Sequence, residues 1–396
     1  MATLSFEDLS FEDKGDKVRI HFLKLFYFDV AKEELQKIAE FGITGSEIDF
    51  KGLSENKAER KFMFLLERGF KELKNKIDKK DTIYIHRNSG IPLIGHIAFG
   101  IIDRGTNIIE VKPETSCNIK CIYCSVDDEK RPVDFVVEEE YLADELRKVI
   151  EYKEDDDIEI HIASQGEPTL YPRMVQLVAL IRKIPQVKRV SIDTNGTLLT
   201  KKYVDELAAA GLTHVNLSIN AMEKDLARKI AGTGYNVEKI KEIAEYLSKK
   251  VKLLIAPVLL NGVNEQEMPK IIQFAKHLNA RIGIQNFLNY RFGRNPVKQI
   301  TWDDFTQLLK GWEKEFNVKL LIDASDFNIR PTKELPKPFR KGEILKLNAV
   351  LPGRLKNEKI AIARERIISI PNCDRIGPLT ARITRTKHNI FMAEIV

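Results

Sequence analysis

Cysteine is scarce: four among 396 residues, and three of them, Cys117, Cys121 and Cys124, fall within eight positions. A disulfide framework scatters its cysteines and uses more of them, so the cluster reads as metal or redox chemistry. No apolar run reaches the length of a membrane-spanning helix, so no membrane partner is expected. The first residues, Met1 to Phe11, carry acids instead of a basic stretch followed by an apolar one. That disfavours a secretory signal and makes the cytoplasm the expected compartment. No low-complexity segment interrupts the chain, and no repeat is visible beyond an alternation of strands and helices.

The remaining composition is that of a large globular core, with 43% hydrophobic and 31% charged residues. Charge is unevenly spread. Residues 340–396 hold 12 Lys and Arg against 5 Asp and Glu, a net +7, so the preceding 339 residues sum to −1. A basic appendage on a near-neutral body points to a polyanion partner, against the plainer alternative of a solvated basic surface.

Four segments follow from the patterning. Residues 1–85 form a small α/β accessory domain, with strands in KVRIHFLKLFYFDV and helices in AKEELQKIAEFG and NKAERKFMFLLERGFKELKNKID. Within residues 86–325, six strand patterns from NIIEVKP to RIGIQNFL alternate with helices, which predicts a parallel sheet curled into a partial (β/α)6 barrel. Reactive groups then belong at the C-terminal ends of the strands. Residues 326–340 begin a proline-rich stretch expected to be an extended linker. Residues 341–396 show short strands punctuated by glycine, the pattern of a small β-barrel.

The cysteines lie in KPETSCNIKCIYCS, on the loop after the first strand of the series. Three thiolates suit an iron–sulfur cluster, whereas structural zinc completes four protein ligands, and neither a second Cys pair nor a His is near. C-x3-C-x2-C with Tyr123 before the last Cys resembles the signature of the radical S-adenosylmethionine (SAM) superfamily. The resemblance implies one 4Fe-4S cluster on Cys117, Cys121 and Cys124. SAM would bind the open iron and be cleaved reductively to a 5′-deoxyadenosyl radical, with an electron donor such as ferredoxin or flavodoxin. It also implies SAM-binding positions. Gly166, Glu167 and Pro168 resemble the family's GGEP motif, with Gln165 in place of its first glycine. Asn195 closes strand three in DTNGTLL, Ser218 and Asn220 close strand four, and Val258 begins an adenine platform. Gln285, Asn286 and Arg291 would face substrate. His161, alternating within IEIHIAS, reads as a packed core histidine before a catalytic one.

The C-terminal segment resembles the TRAM domain, an OB-like RNA-binding barrel. That implies phosphate contacts from Arg354, Lys356, Arg382, Arg385 and Lys387, while Phe391 is open to either base stacking or a core role. TRAM domains occur in radical SAM methylthiotransferases, but those carry three further N-terminal cysteines and this N-terminus has none. The lone extra thiol, Cys373, reads as a buried small hydrophobe. The expected function is modification of a base in structured RNA, tRNA foremost, with methylation as the first outcome. The rivals are the same chemistry on a protein or small metabolite with the barrel as a docking module, and an RNA-binding protein with a structural cluster.

Overall fold

Strand residues alternate between an apolar face and a polar one, and this alternation builds the central sheet. The computed structural model describes residues 2–396. Seven strands form the sheet: β1 (Gly100–Asp103), β2 (Ile108–Lys112), β3 (Ile158–Ile162), β4 (Val187–Thr194), β5 (His214–Leu217), β6 (Lys252–Ile255) and β7 (Arg281–Ile282). They lie in sequential order. β2 to β7 are parallel and β1 caps the β2 edge antiparallel. This is the expected open β/α barrel, with its sixth parallel strand reduced to two residues.

Ile109, Val111, Ile160, Ile162, Val190, Ile192, Val215, Leu217 and Ile255 point outward and are fully buried. Helices cover them: α1 (Glu139–Lys153), α2 (Met174–Arg182), α3 (Lys201–Ala210), α4 (Lys224–Ala231), α5 (Val237–Leu247) and α6 (Met268–His277), with α7 (Trp302–Phe316) following β7. Each such aliphatic side chain contributes roughly 1.5–3 kcal/mol through burial. The opposite face lines a polar lumen. Glu110, His161, Ser191, His214 and Lys252 are register partners across β2 to β6. One layer nearer the strand ends lie Asp193, Asn216, Leu254 and Arg281.

The C-terminal strands β8 (Ile344–Pro352), β9 (Glu358–Ala363), β10 (Arg366–Pro371), β11 (Gly377–Arg385) and β12 (Met392–Ile395) close into a five-stranded barrel. Phe339, Ile368, Ile370, Ile383 and Phe391 fill it. Phe391 is fully buried, edge-on to Phe339 with ring centroids 5.0 Å apart, so the stacking role left open for it is excluded. Cys373 is also fully buried in this core, as expected.

This barrel and the β/α core make one compact unit, His86–Arg131 with Val137–Val396. The stretch read as a linker is fastened along its length. Arg330 pairs with Asp155, Thr332 N donates to Gly105 O at 2.9 Å, and Leu335 N donates to Asp103, whose carboxylate also holds the fully buried Lys153 at 2.8 Å. Proline there sets an extended path, and the path is packed.

The second unit, Met1–Ile85 with Pro132–Val136, is β-rich. Its six-stranded sheet packs against the helix Glu55–Phe70, which buries Phe62, Leu65 and Leu66 and leaves Met63 and Phe64 exposed. The helix expected over AKEELQKIAEFG is only Lys32–Gln36, because Phe41–Thr44 pairs with Glu47–Phe50 as a strand. The longer expected helix stops at Phe70, because Lys74 and Asn75 pair with Tyr27 and Phe26.

Candidate active site

The loop after β2 carries the three cysteines, and backbone contacts from its neighbours fix its course. A Cβ on Gly166 would lie 2.0 Å from Ser116 O, so only glycine lets the loop after β3 rest on the cysteine loop. Glu167 N donates to Ser116 O at 2.8 Å. The Glu167 carboxylate is buried and accepts from Thr169 N, Thr169 Oγ1, Thr194 Oγ1 and Asn195 N at 2.5–3.0 Å. Burial nevertheless raises its pKa above the usual carboxylate range. Asn195 donates through Nδ2 to Asn118 at 3.0 Å, which ties the β4 end to the same loop.

Three further supports went unnoticed in the sequence. Gly232, ending α4 at φ +66°, sits where a Cβ would be 2.0 Å from Lys120 O, and Lys120 N and Ile122 N donate to Ala231 O and Ile230 O. Arg131 donates to Thr115 O at 2.7 Å and Gln165 O at 3.2 Å. Arg294 N donates to Cys124 O at 2.8 Å, and its guanidinium reaches Asp127, Asp128 and Cys121 O. A Gly at 232 after the polar start at Glu223 was the available signal for α4.

These contacts enclose a cavity of about 340 Å³ lined by Cys117, Cys121 and Cys124. Tyr123, Gly166, Glu167, Asn195, Ser218, Asn220 and Val258 also line it, with Gln285 and Asp193. Pro168 is buried in the turn that follows Glu167 and does not line the cavity. Asn286 turns away to donate to Ile300 O, and Arg291 lies over the Phe292 ring, so neither lines the cavity. Asn220 organises the β5 end: Nδ2 donates to Tyr123 Oη at 2.8 Å, and Oδ1 accepts from Val258 N at 2.8 Å. Burial pushes the Cys117 and Cys124 thiols up and Cys121 to about 12. Thiols so held are protonated until a metal displaces the proton. Three sulfurs around a half-open, mostly uncharged cavity fit a cluster with one iron left for a small ligand.

His161 is half-buried, and it lies in the lumen instead of the apolar core. Its Nδ1 meets Ser191 Oγ at 2.9 Å and its Nε2 meets Asp193 at 3.2 Å.

The model of the radical SAM superfamily matches residues 111–275. The chain carries a radical SAM domain. As a radical SAM enzyme it uses one 4Fe-4S cluster and SAM, and Cys117, Cys121 and Cys124 fit the C-x3-C-x2-C motif. The uncharacterized protein MJ0103 of Methanocaldococcus jannaschii is 42% identical over 361 residues, which is 82% of this chain and 83% of that protein. The GTP 3′,8-cyclase of Campylobacter jejuni subsp. doylei is 26% identical over 220 residues, 55% of this chain and 67% of the cyclase. Among solved structures, TYW1 with a lysine-pyruvate adduct bound is similar at TM-score 0.42 and 21% identity, over 57% of this chain and 80% of that one. No helix among the described residues is long and apolar enough to cross a membrane.

Proposed function

We propose that this radical SAM enzyme modifies a base in structured RNA, tRNA foremost, with methylation as the first outcome to look for. Cys117, Cys121 and Cys124 hold the cluster. Gly166, Glu167, Pro168, Asn195, Ser218, Asn220 and Val258, with Tyr123, shape the SAM side of the cavity. When bound, these cofactors supply a 5′-deoxyadenosyl radical. The protein's own task is to hold three thiolates on one rigid loop, orient the ligand through Asn220 and Tyr123, and keep water out. Electrons come from a ferredoxin- or flavodoxin-type donor, and the compartment is the cytoplasm.

The observation that carries the RNA reading is the seat of the basic barrel. Ile367 N donates to Ile94 O at 2.9 Å and Phe391 N to Gly95 O at 3.1 Å, so the barrel is joined to the core by backbone bonds. Arg354, in the β8–β9 turn, lies 5.9 Å over Phe292, whose neighbours Gly293 and Arg294 pack on Cys124. A cationic barrel so placed would bring phosphate beside the cysteine loop. The five expected contacts are not equal. Lys356 and Lys387 are exposed, Arg382 pairs with Glu394 at 3.3 Å, and Arg354 and Arg385 are partly buried.

The test is a gel-shift titration of total tRNA across a salt series. Binding is expected at low salt and falls steeply as salt rises. Replacing Lys356 and Lys387 by Ala lowers the salt slope by about two. Absence of binding at low salt rejects the RNA substrate. Mass spectrometry of tRNA nucleosides from a deletion strain then identifies the missing modification.

A further inference from the structure

The lumen continues below the cysteine cavity. A second cavity of about 510 Å³ lies toward the N-terminal ends of the strands, and Asn216 and Leu254 line both, so the two meet at that layer. Arg189, Lys252 and Arg281 line the lower one, with His214, Glu159 and Asp326.

The acids there are already engaged. Glu159 accepts from Ser191 Oγ at 2.7 Å and pairs with Arg189 at 3.2 Å, while Asp326 pairs with Lys319 at 2.5 Å. The cations are not fully used. Arg189 gives Nη1 to Asp157 at 2.7 Å, but its Nη2 is buried with no acceptor among the described residues. Arg281 donates only to the Asp326 carbonyl, at 2.7 Å, and Lys252 has no ion-pair partner among the described residues. His214, register partner of Lys252 and of Ser191, sits among them. Burial lowers its pKa, Glu159 opposes this, and Lys252, Arg189 and Arg281 lower it further. Arg189, Lys252, Arg281 and His214 thus line one cavity. A buried donor without an acceptor, beside two cations that form no ion pair among the described residues, is the chemistry of an anion site.

The geometry points to the lower cavity as a binding site for a phosphorylated small molecule, with the phosphoryl group on Arg189, Lys252 and Arg281. Lys252 and Arg281, neither in an ion pair among the described residues, together with the free Arg189 Nη2 donor match a dianion better than a single carboxylate. The volume lies in the range of small-molecule sites, and the far end of such a ligand reaches the Asn216–Leu254 layer beneath the cysteine cavity. This site goes beyond the RNA reading: it takes a second, small reactant through the lumen, away from the barrel.

Calorimetric titration of the full chain with guanosine monophosphate, and separately with inorganic phosphate, tests it at low salt. The wild type binds the nucleotide, and a K252A/R281A double variant binds it at least tenfold more weakly. Both residues are exposed, and the single variants K252Q and R281Q each show an intermediate loss, which guards against a folding defect in the double variant. Inorganic phosphate loses affinity in the same variants. Equal affinity in wild type and double variant, or no binding of either probe at millimolar concentration, overturns the site. A short RNA lacking terminal phosphate that binds as well as the nucleotide, with the same losses, overturns the small-molecule assignment. The barrel's affinity for tRNA is a separate readout, so either idea fails without the other.

Discussion

At the scale of single residues, one glycine and one ion pair carry sharp consequences. Gly166 touches the backbone of Ser116, the residue before Cys117, so Gly166→Ala forces that loop to move. Overpacking of this kind costs roughly 1–3 kcal/mol, and the displaced atoms neighbour a ligand. Anaerobically reconstituted G166A should hold less iron and labile sulfide than wild type and melt at lower temperature; full iron content with an unchanged melt would refute the account of that glycine. The ion pair is His161 with Asp193 in the lumen. Burial alone would lower the His161 imidazolium pKa, but Asp193, Glu110 and Glu159 outweigh it and raise it. Asp193 is pulled down by His161, Asn216 and Lys112 against its own burial. A raised histidine stabilises below its ordinary value near 6.5 and loses that contribution as pH rises through the folded value. A depressed aspartate stabilises above its ordinary value and loses that contribution in acid. The pair therefore supports the fold from mildly acidic to neutral pH. Asp193 is half-exposed to the cavity, so solvent screening limits the effect to about 1 kcal/mol or less. Urea unfolding of Asp193→Asn should show its deficit near pH 6 and a smaller one near pH 9. A deficit that grows toward alkaline pH would show that His161 is not the charged partner.

At the scale of elements, the sequence disclosed what repeats and what is chemically rare. Six β/α periods are legible because outward faces such as Ile158, Ile160 and Ile162 alternate with polar lumen residues, and the cysteine spacing is a rare local pattern. Most of the residues grouped by resemblance at the strand ends do share one cavity; Pro168, Asn286 and Arg291 lie outside it. What stayed hidden depends on contacts distant in sequence. α4 is eight residues long, too short for its periodicity to stand out, yet its last turn supports Lys120 and Ile122. Arg131 and Arg294 carry no local sequence signal, and only the fold brings them to backbone carbonyls of the cysteine loop. The strand Phe41–Thr44 overrode a helical pattern because its hydrogen bonds go to Glu47–Phe50, and local propensity carries no trace of that partner. His161 shows the same limit: an alternating pattern gives its face, but whether that face meets helices or a charged lumen is decided by sheet closure.

At the scale of the whole chain, the barrel's attachment decides whether it acts as a tethered module or as part of the enzyme body. Gly95 sits at φ +125°, and a Cβ there would lie 2.3 Å from Ile367 O and 2.6 Å from Ile367 N. The joint is thus a backbone-to-backbone approach that only glycine permits. Beside it His96 is fully buried with Nε2 3.6 Å from Glu358, on the strand that follows the Arg354 turn. Burial lowers the His96 pKa, and Glu358 opposes it. Gly95→Ala combines an unfavourable φ with a steric clash, together about 1–3 kcal/mol, and the strain falls on the joint while each part keeps its own core. Hydrogen exchange should therefore quicken at the amides of Ile367 and Phe391, which cross the joint, and stay slow at Ile109 and Val111 inside the sheet. Because the RNA reading needs the barrel held beside the cysteine loop, the same variant should keep its iron and its affinity for tRNA yet lose modification of it. Unaltered exchange at Ile367 and Phe391 would show that the joint tolerates the added methyl and that close backbone approach is not what fixes the barrel. Faster exchange with full modification would show that a fixed barrel is unnecessary for the reaction.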